Sequence, residues 1–354
     1  MWKSLSGLSQ GGDAVIMDLS MQDRSVTGSR LITEVADAVA LLRGGAVVAL
    51  PTETVYGLAA SADHPDAVER VFALKGRPAS NPLILHVSDL GMLAGWTPPL
   101  ESRARRLGEA FWPGPLTLVL PALERVSRRV TAGQATVAVR VPAHPLIRDV
   151  IAKLGTPLVA PSANLSTRLS PTSPGHVLAQ FRDQDLAVLD GGPCSVGLES
   201  TIVSLLPGQQ ASVLRPGILT ASAIADVLGE PVRDGGSPSV SGAPRVPGQM
   251  RVHYAPRQPL RLCAEPADAD LANPRCGWIT AGLALVAAGP VRDLGREPMP
   301  FARDLYATLH ELEACDLDVL VVLSPPDEPE WRAIHDRLGR ASADRFPAVG
   351  DAGA

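Results

Sequence analysis

Residues 46–58 read AVVALPTETVYGL, an apolar run that stops at a proline and two threonines. AVVAL has the length and composition of a strand. PTETVYGL begins where it ends, so the threonines fall at a strand terminus, where open α/β sheets commonly place ligand groups. Upstream, Val35, Val39 and Leu42 recur at helical spacing between Thr33 and Arg43, and Gly44-Gly45 supplies a stop. Downstream, a second helix is predicted over Pro65 to Leu74. Pro65 opens it, Val68, Val71 and Phe72 face inward, and Gly76 ends it. Lys75 therefore closes that helix and Arg77 leaves it. Further strands are predicted in LILHV, LTLVL, TVAVRV, PLVA, LAVLD and TIVSLL, separated by turns or by helical stretches such as His144 to Leu154. This alternation is the pattern of an α/β fold.

At 354 residues the chain exceeds one ordinary domain, and its 45% hydrophobic content can supply two cores. The net charge of −5 gives no global basic field, so a nucleic-acid contact would need a local patch. Cys194, Cys263, Cys276 and Cys315 form no Cys-x-x-Cys pair and suggest neither a zinc site nor a disulfide framework, which fits a reducing cytoplasm. The start, MWKSLSGLSQGGDAVIMD, reads as a loose tail rather than a signal peptide, and the longest apolar runs fall short of the ~20 residues that span a bilayer. From Pro231 to Pro259 the composition turns to Gly, Pro, Ser and Arg, the mark of a linker. Beyond it, the strand RLCAE, the apolar WITAGLALVA, a helix bearing Leu305, Leu309 and Leu312, the strand VLVVL and a helix around Trp331 to Arg340 form a second, smaller α/β unit.

The common nucleotide and zinc signatures are missing; the chain instead carries polar clusters at element ends. LKGRP with Asn81 offers two fixed cations and an amide, suited to a polyphosphate or carboxylate; the alternative is that Lys75 and Arg77 only cap the helix's negative end. APSANLS presents Ser162 and Asn164 after a strand, either as donors to phosphate oxygens or as an ordinary polar turn. GLESTIV places Ser200 and Thr201 at a strand's start. Arg140 stands among valines in TVAVRV and must find a partner or a cleft, through a ligand or a structural salt bridge. Side chains alternate along that strand, so Thr136 and Arg140 share a face. His86 in LILHV has a similar setting. The runs ESRARRLGEAF and ERVSRR read as solvated arginine faces, with RNA contact as the alternative. HYAP in the linker is either solvated or part of a lid.

Taken together and in order, PTETVYGL, KGRPxxNPL, FWPGPLTLVL, APSANLSxxxSPT, GLESTIV with VLRPG, and PGQMRVHYAP resemble the YrdC-like family. Within it, the chain resembles the two-domain L-threonylcarbamoyladenylate synthases, over about Thr33 to Arg340. The resemblance implies a YrdC-like twisted open mixed sheet with flanking helices, plus a smaller Rossmann-like α/β/α C-terminal domain. The implied division is a tail at residues 1–28, a catalytic domain at 29–230, a linker and lid at 231–259, and a C-terminal domain at 260–354. The implied reaction joins L-threonine, bicarbonate and ATP into threonylcarbamoyl-AMP and pyrophosphate, in the cytoplasm, for tRNA modification by downstream threonylcarbamoyl-transfer proteins. By the same resemblance Lys75, Arg77, Ser162 and Asn164 are the catalytic tetrad. Thr54, His86, Arg140 and Ser200 are threonine-side residues. Asn81, Thr136, Ser170 and Arg215 join Arg77, Ser162 and Tyr254 on the ATP side, and His253 and Tyr254 form the lid. Mg²⁺ arrives with ATP, and no residue is assigned to a metal. The alternatives are an RNA-binding YrdC-like module, with weak tRNA contact, or a related carbamoyl-adenylate enzyme. Ala59 and Thr167-Arg168 depart from the glycines common at those places.

Overall fold

The computed structural model describes residues 28–234 and 244–343. The expected tail, apart from Gly28, the middle of the linker and the last residues of the chain lie outside the described residues. The first unit is built on eleven strands. They are β1 (Arg30–Ile32), β2 (Val48–Leu50), β3 (Gly57–Ser61), β4 (Ile84–His86), β5 (Leu116–Pro121), β6 (Thr136–Arg140), β7 (Leu158–Val159), β8 (Ala187–Leu189), β9 (Thr201–Ser204), β10 (Ser212–Arg215) and β11 (Arg233–Asp234). Their order in the sheet is β1-β8-β2-β3-β7-β4-β6-β5-β9-β10-β11. Pairing is mixed: β2 is parallel to β8 and antiparallel to β3, while β6 is parallel to β4 and antiparallel to β5.

The two faces are covered differently, and that difference makes the site. Around β2, Val47 and Ala49 join a core with Leu58, Ala60, Leu85 and Val139 under helices Pro65–Lys75 and Ser102–Phe111. Val48 and Leu50 join the opposite core, under helices Val35–Arg43 and Pro145–Leu154. A strand covered on both faces is apolar throughout, which explains AVVAL. His86 pairs with Leu158 and so lies on this second face. There the helical cover ends, and Ile84, Ala138, Ile202 and Leu214 pack against Val246 of the linker instead. Beyond β7 the sheet face is thus roofed by residues 244–255, not by a helix.

The second unit is a four-stranded parallel sheet, β12 (Leu260–Cys263), β13 (Cys276–Thr280), β14 (Val291–Asp293) and β15 (Val319–Leu323), in the order β12-β15-β13-β14. Helices Pro298–Glu313 and Arg332–Ser342 bury Leu305, Leu309, Ile334 and Leu338 against Ile279, Leu320 and Val322. The other face, with Trp278 and Val321, packs on Leu271 of the short helix Asp268–Leu271. Val55, Leu169 and Leu198 of the first unit join this core, so the two units share one apolar cluster.

Several expectations are corrected. The first helix starts at Val35, with Glu34 at its cap, because the residues before it pair as a strand. WITAGLALVA, read only as an apolar stretch, is a strand to Thr280 and then leaves the core, with Leu283 and Val286 exposed. Strands β1, β3, β10, β11 and β14 were not among the predicted ones, being short or, for β3, small-residue segments whose pairing is decided by distant neighbours.

Gly197 marks how closely the units approach. It has φ 78°, and a Cβ there would lie 2.3 Å from the Arg303 carbonyl oxygen on helix Pro298–Glu313. Gly155, at φ 79°, would meet nothing within 4 Å. Gly155→Ala should cost only the backbone strain of about 1 kcal/mol. Gly197→Ala should lower the thermal midpoint at least twice as far, measured by circular dichroism; equal shifts would contradict the close approach.

Candidate active site

The uncovered face of β4 and β6 opens into a cavity. His86 and Arg140 are register partners on it, with Ile84 paired to Ala138 beside them. The cavity is lined by Thr52 and Thr54 from the β2–β3 turn, Arg77, Ser162, Glu199, Ser200 and Arg215, and by Gly248, His253 and Tyr254 of the linker. Thr52 shapes the turn: its hydroxyl accepts from the backbone N–H groups of Thr54 and Val55 at 3.1 Å.

Three arginines give the wall its sign. Arg140 is 4% exposed; its Nε donates to the Gly114 carbonyl at 3.2 Å and its Nη1 to Thr54 Oγ1 at 3.0 Å. Its Nη2 lies 2.7 Å from Glu53 Oε1, though neither atom is aligned for a hydrogen bond. The structural salt bridge is therefore present. Arg215 grips Ser200 through its carbonyl at 2.9 Å and its hydroxyl at 3.0 Å, and the linker through Pro247 O at 3.2 Å. Arg77, half-buried, donates to the carbonyls of Asn81 and Pro82. Burial lowers its pKa to about 10, which leaves it charged at neutral pH. His86 and His253 are both pushed down to about 3, chiefly by burial, with Arg140 acting on His86 and a balance of Glu199 and nearby cations on His253. Both are neutral imidazoles under physiological conditions.

Lys75 is turned away from the cavity. It ends helix Pro65–Lys75, is 3% exposed, and its ammonium donates to the carbonyls of Ser162 and Asn164 and to Asn164 Oδ1. Burial, and then Arg77, lower its pKa. Asn164 is wholly buried and donates to the carbonyls of Leu165 and Arg168. Ser170, also buried, donates to Glu199 Oε1 at 2.6 Å. Asn81 contacts Met250 Sδ of the linker at 3.9 Å. Thr136 shares the face of Arg140 but lies outside the cavity lining, four residues or about 13 Å along β6. Of the predicted residues, Thr54, Arg77, His86, Arg140, Ser162, Ser200, Arg215, His253 and Tyr254 therefore line one cavity, Lys75, Asn164 and Ser170 stand behind its wall, and Asn81 and Thr136 lie outside the lining.

Residues 40–217 match a family model named for Sua5, YciO and YrdC and described as "Telomere recombination". Residues 219–343 match the model described as "Threonylcarbamoyl-AMP synthase, C-terminal domain". A threonylcarbamoyl-AMP synthase of Bacillus subtilis is 38% identical over 325 residues, covering 88% of this chain and 94% of that one. A Pyrococcus abyssi protein of the same name is 37% identical over 328 residues, 88% and 95% of the two chains. The solved structure of P. abyssi Sua5 complexed with L-threonine has a TM-score of 0.79 at 36% identity, covering 89% of this chain and 97% of that one. The chain belongs to the threonylcarbamoyl-AMP synthase family.

As a synthase of this family, the protein is a transferase enzyme of the nucleotidyl-transferring kind. Two of its charged site residues escaped sequence reasoning although they stand inside quoted motifs. Glu53 of PTETVYGL and Glu199 of GLESTIV are 5% and 6% exposed; Glu53 faces Arg140 and Glu199 stands in the cavity lining. Their signal was a carboxylate inside an apolar stretch. The arginine runs of the synthase are partly consumed by ion pairs: Arg103 with Glu230, Arg125 with Asp63 and Arg129 with Glu69.

Burial alone would raise the Glu199 carboxyl, but Arg337 and Arg215 outweigh it and hold the group at about 2, against an ordinary 4.5. A depressed carboxyl contributes stability that is present above its unfolded value and lost as pH falls towards its folded value. In Glu199→Gln the deficit in thermal midpoint relative to the wild type should therefore shrink as pH falls from about 5 to about 3. Parallel acid branches would mean that Glu199 is not paired in solution.

Proposed function

We propose that the cavity joins L-threonine, bicarbonate and ATP into threonylcarbamoyl-AMP and pyrophosphate. The observation that carries this reading is the convergence of Arg77, Arg140 and Arg215 with the hydroxyls of Thr54, Ser162 and Ser200 on one partly enclosed wall. Such a wall suits substrates that bring a carboxylate and a triphosphate.

Arg140 pairs the threonine carboxylate, and Thr54, His86 and Ser200 surround the amino acid. The amine, its ammonium proton given up to solvent, attacks carbon dioxide to give a carbamate and a proton released to solvent, or bicarbonate to give a carbamate and water. A carbamate oxygen then attacks the α-phosphorus, and the bond to the bridging oxygen of pyrophosphate breaks. A histidine held near 3 is a poor acceptor for an ammonium proton, so no side chain here is assigned as base. Catalysis rests on positioning and on Arg77 and Arg215 facing the charge that builds on the phosphates. Lys75 and Asn164 hold the loop that presents Ser162, and Lys75 adds positive potential from behind. Ser170 fixes Glu199, while Asn81 and Thr136 border the nucleotide from the outer end of the wall. Mg²⁺ enters as part of the ATP substrate. Glu53 and Glu199, the carboxylates at the wall, face arginines already and make a poor cation cage.

His253 and Tyr254 form the roof. Their rings meet edge to face with centroids 4.0 Å apart, and Tyr254 is 1% exposed at φ 61°. A roof of this kind shields a labile carbamate and mixed anhydride from water. The product then passes to downstream proteins that transfer the group to tRNA in the cytoplasm, with weak tRNA contact at the remaining arginines.

The purified chain should release pyrophosphate from ATP and Mg²⁺ only when threonine and bicarbonate are both present, with threonylcarbamoyl-AMP visible by mass spectrometry. Arg77→Ala should lower kcat/KM by roughly a hundredfold; hydrolysis indifferent to threonine would sink the reading. Tyr254→Ala should lower the yield of threonylcarbamoyl-AMP per ATP consumed, whereas an unchanged ratio would remove the shielding role.

A further inference from the structure

Behind the cavity wall, three side chains from both units converge on one carboxylate. Glu199 Oε1 accepts from Ser170 Oγ at 2.6 Å, and Oε2 accepts from Tyr306 OH at 3.2 Å and Arg337 Nε at 2.8 Å. Tyr306 and Arg337 belong to helices Pro298–Glu313 and Arg332–Ser342 of the second unit. Arg337 is 1% exposed, and its guanidinium lies 5.1 Å from the centroid of the Tyr254 ring. Its Nη1 donates to Asp336 at 2.7 Å, and its buried Nη2 has no hydrogen-bond partner.

A buried ion pair gains little stability over a well-packed apolar substitute, so this arginine calls for a task in geometry. On the cavity side the next cation is Arg215, which holds Ser200, the neighbour of Glu199 in the chain, and Pro247 of the roof. Arg215 and Arg337 both act electrostatically on Glu199. With Tyr306 and Arg337 bound to Oε2 and Ser170 to Oε1, the carboxylate is occupied from the far side, and Arg215 stays turned towards Ser200 and the roof.

We infer that Arg337 is a positioning residue of the second domain, which by occupying Glu199 keeps Arg215 and Tyr254 set for the substrates. This rests on the reading of the cavity as the synthase site. Arg337 touches no substrate and acts through Glu199. Without it, the carboxylate draws Arg215 off Ser200 or takes up a proton. The other groups facing Glu199 are His253 and Tyr254 from the roof and Lys75 from the first unit, with Asp336 beside Arg337. None of them replaces the lost cation: His253 is neutral, Tyr254 bears no charge, Lys75 is committed to loop carbonyls, and Asp336 is an acid.

The test is kcat/KM for threonine-dependent pyrophosphate release, from about pH 5 to 9, on full-length wild type, Arg337→Met, Glu199→Gln and the double variant, with thermal midpoints alongside. Arg337→Met should lose roughly tenfold or more and gain a new acid limb, because one of the two cations holding the carboxyl down is gone. The double variant should regain most of that loss, since a neutral amide no longer competes for Arg215. Should Arg337→Met fail to fold, Tyr306→Phe keeps the arginine, removes one hydrogen bond from the same carboxylate, and should show the same acid limb with a loss of roughly twofold to fivefold. An active wild type beside a double variant as impaired as Arg337→Met, or a single variant with an unchanged pH profile, overturns the inference alone. A wild type without threonine-dependent turnover overturns the functional reading and the inference with it.

Discussion

A buried ammonium group holds the site together. Lys75 Nζ closes on the carbonyls of Ser162 and Asn164, fixing the loop after β7 to the end of a helix. The same loop is held from two other directions, by Ser166 N donating to Lys75 O at 2.8 Å and by Ala163 N donating to Tyr56 O at 2.7 Å. Three segments distant in sequence, the PTETVYG turn, the end of the KGRP helix and the APSAN loop, are locked into one surface, and Ser162 is presented from it. Because each buried carbonyl left without a donor costs about 1–3 kcal/mol, this junction has little freedom to rearrange. That rigidity suits a wall whose task is to meet developing charge without reorganising.

The balance of charge follows from the same enclosure. Arg77, Arg140 and Arg215 cluster where mutual repulsion would be severe, and Glu53 and Glu199 offset part of it. The offset is unequal: Glu53 meets Arg140 without hydrogen-bond alignment, while Glu199 is bound at both oxygens. Both arginines are nonetheless anchored, Arg140 by Gly114, Thr54 and Glu53 and Arg215 by Ser200 and Pro247.

Much of this was legible in the sequence. The helix over Pro65 to Lys75 was visible because its proline start, apolar spacing and glycine end agree with one another. Arg140 was conspicuous as a cation among valines, and strand alternation set its face correctly. The same alternation put Thr136 on that face without saying how far the cavity reaches, since parity gives side and not distance. What remained hidden was non-local. Nothing near Arg337 in the chain announces that it will meet Glu199, 138 positions away. Its only trace is a place on the apolar side of a helix, between Ile334 and Leu338. The short strands β11 and β14 were hidden for the same reason: two or three residues pair because a partner edge is present, not because of their own composition.

The roof residue Tyr254 is packed into the apolar cluster of the second unit, together with Phe301, Tyr306 and Trp331. Lifting the roof therefore means extracting an aromatic ring from that cluster, at a cost of about 2–3 kcal/mol. The roof is thus tied to the core of another unit and is not a free loop.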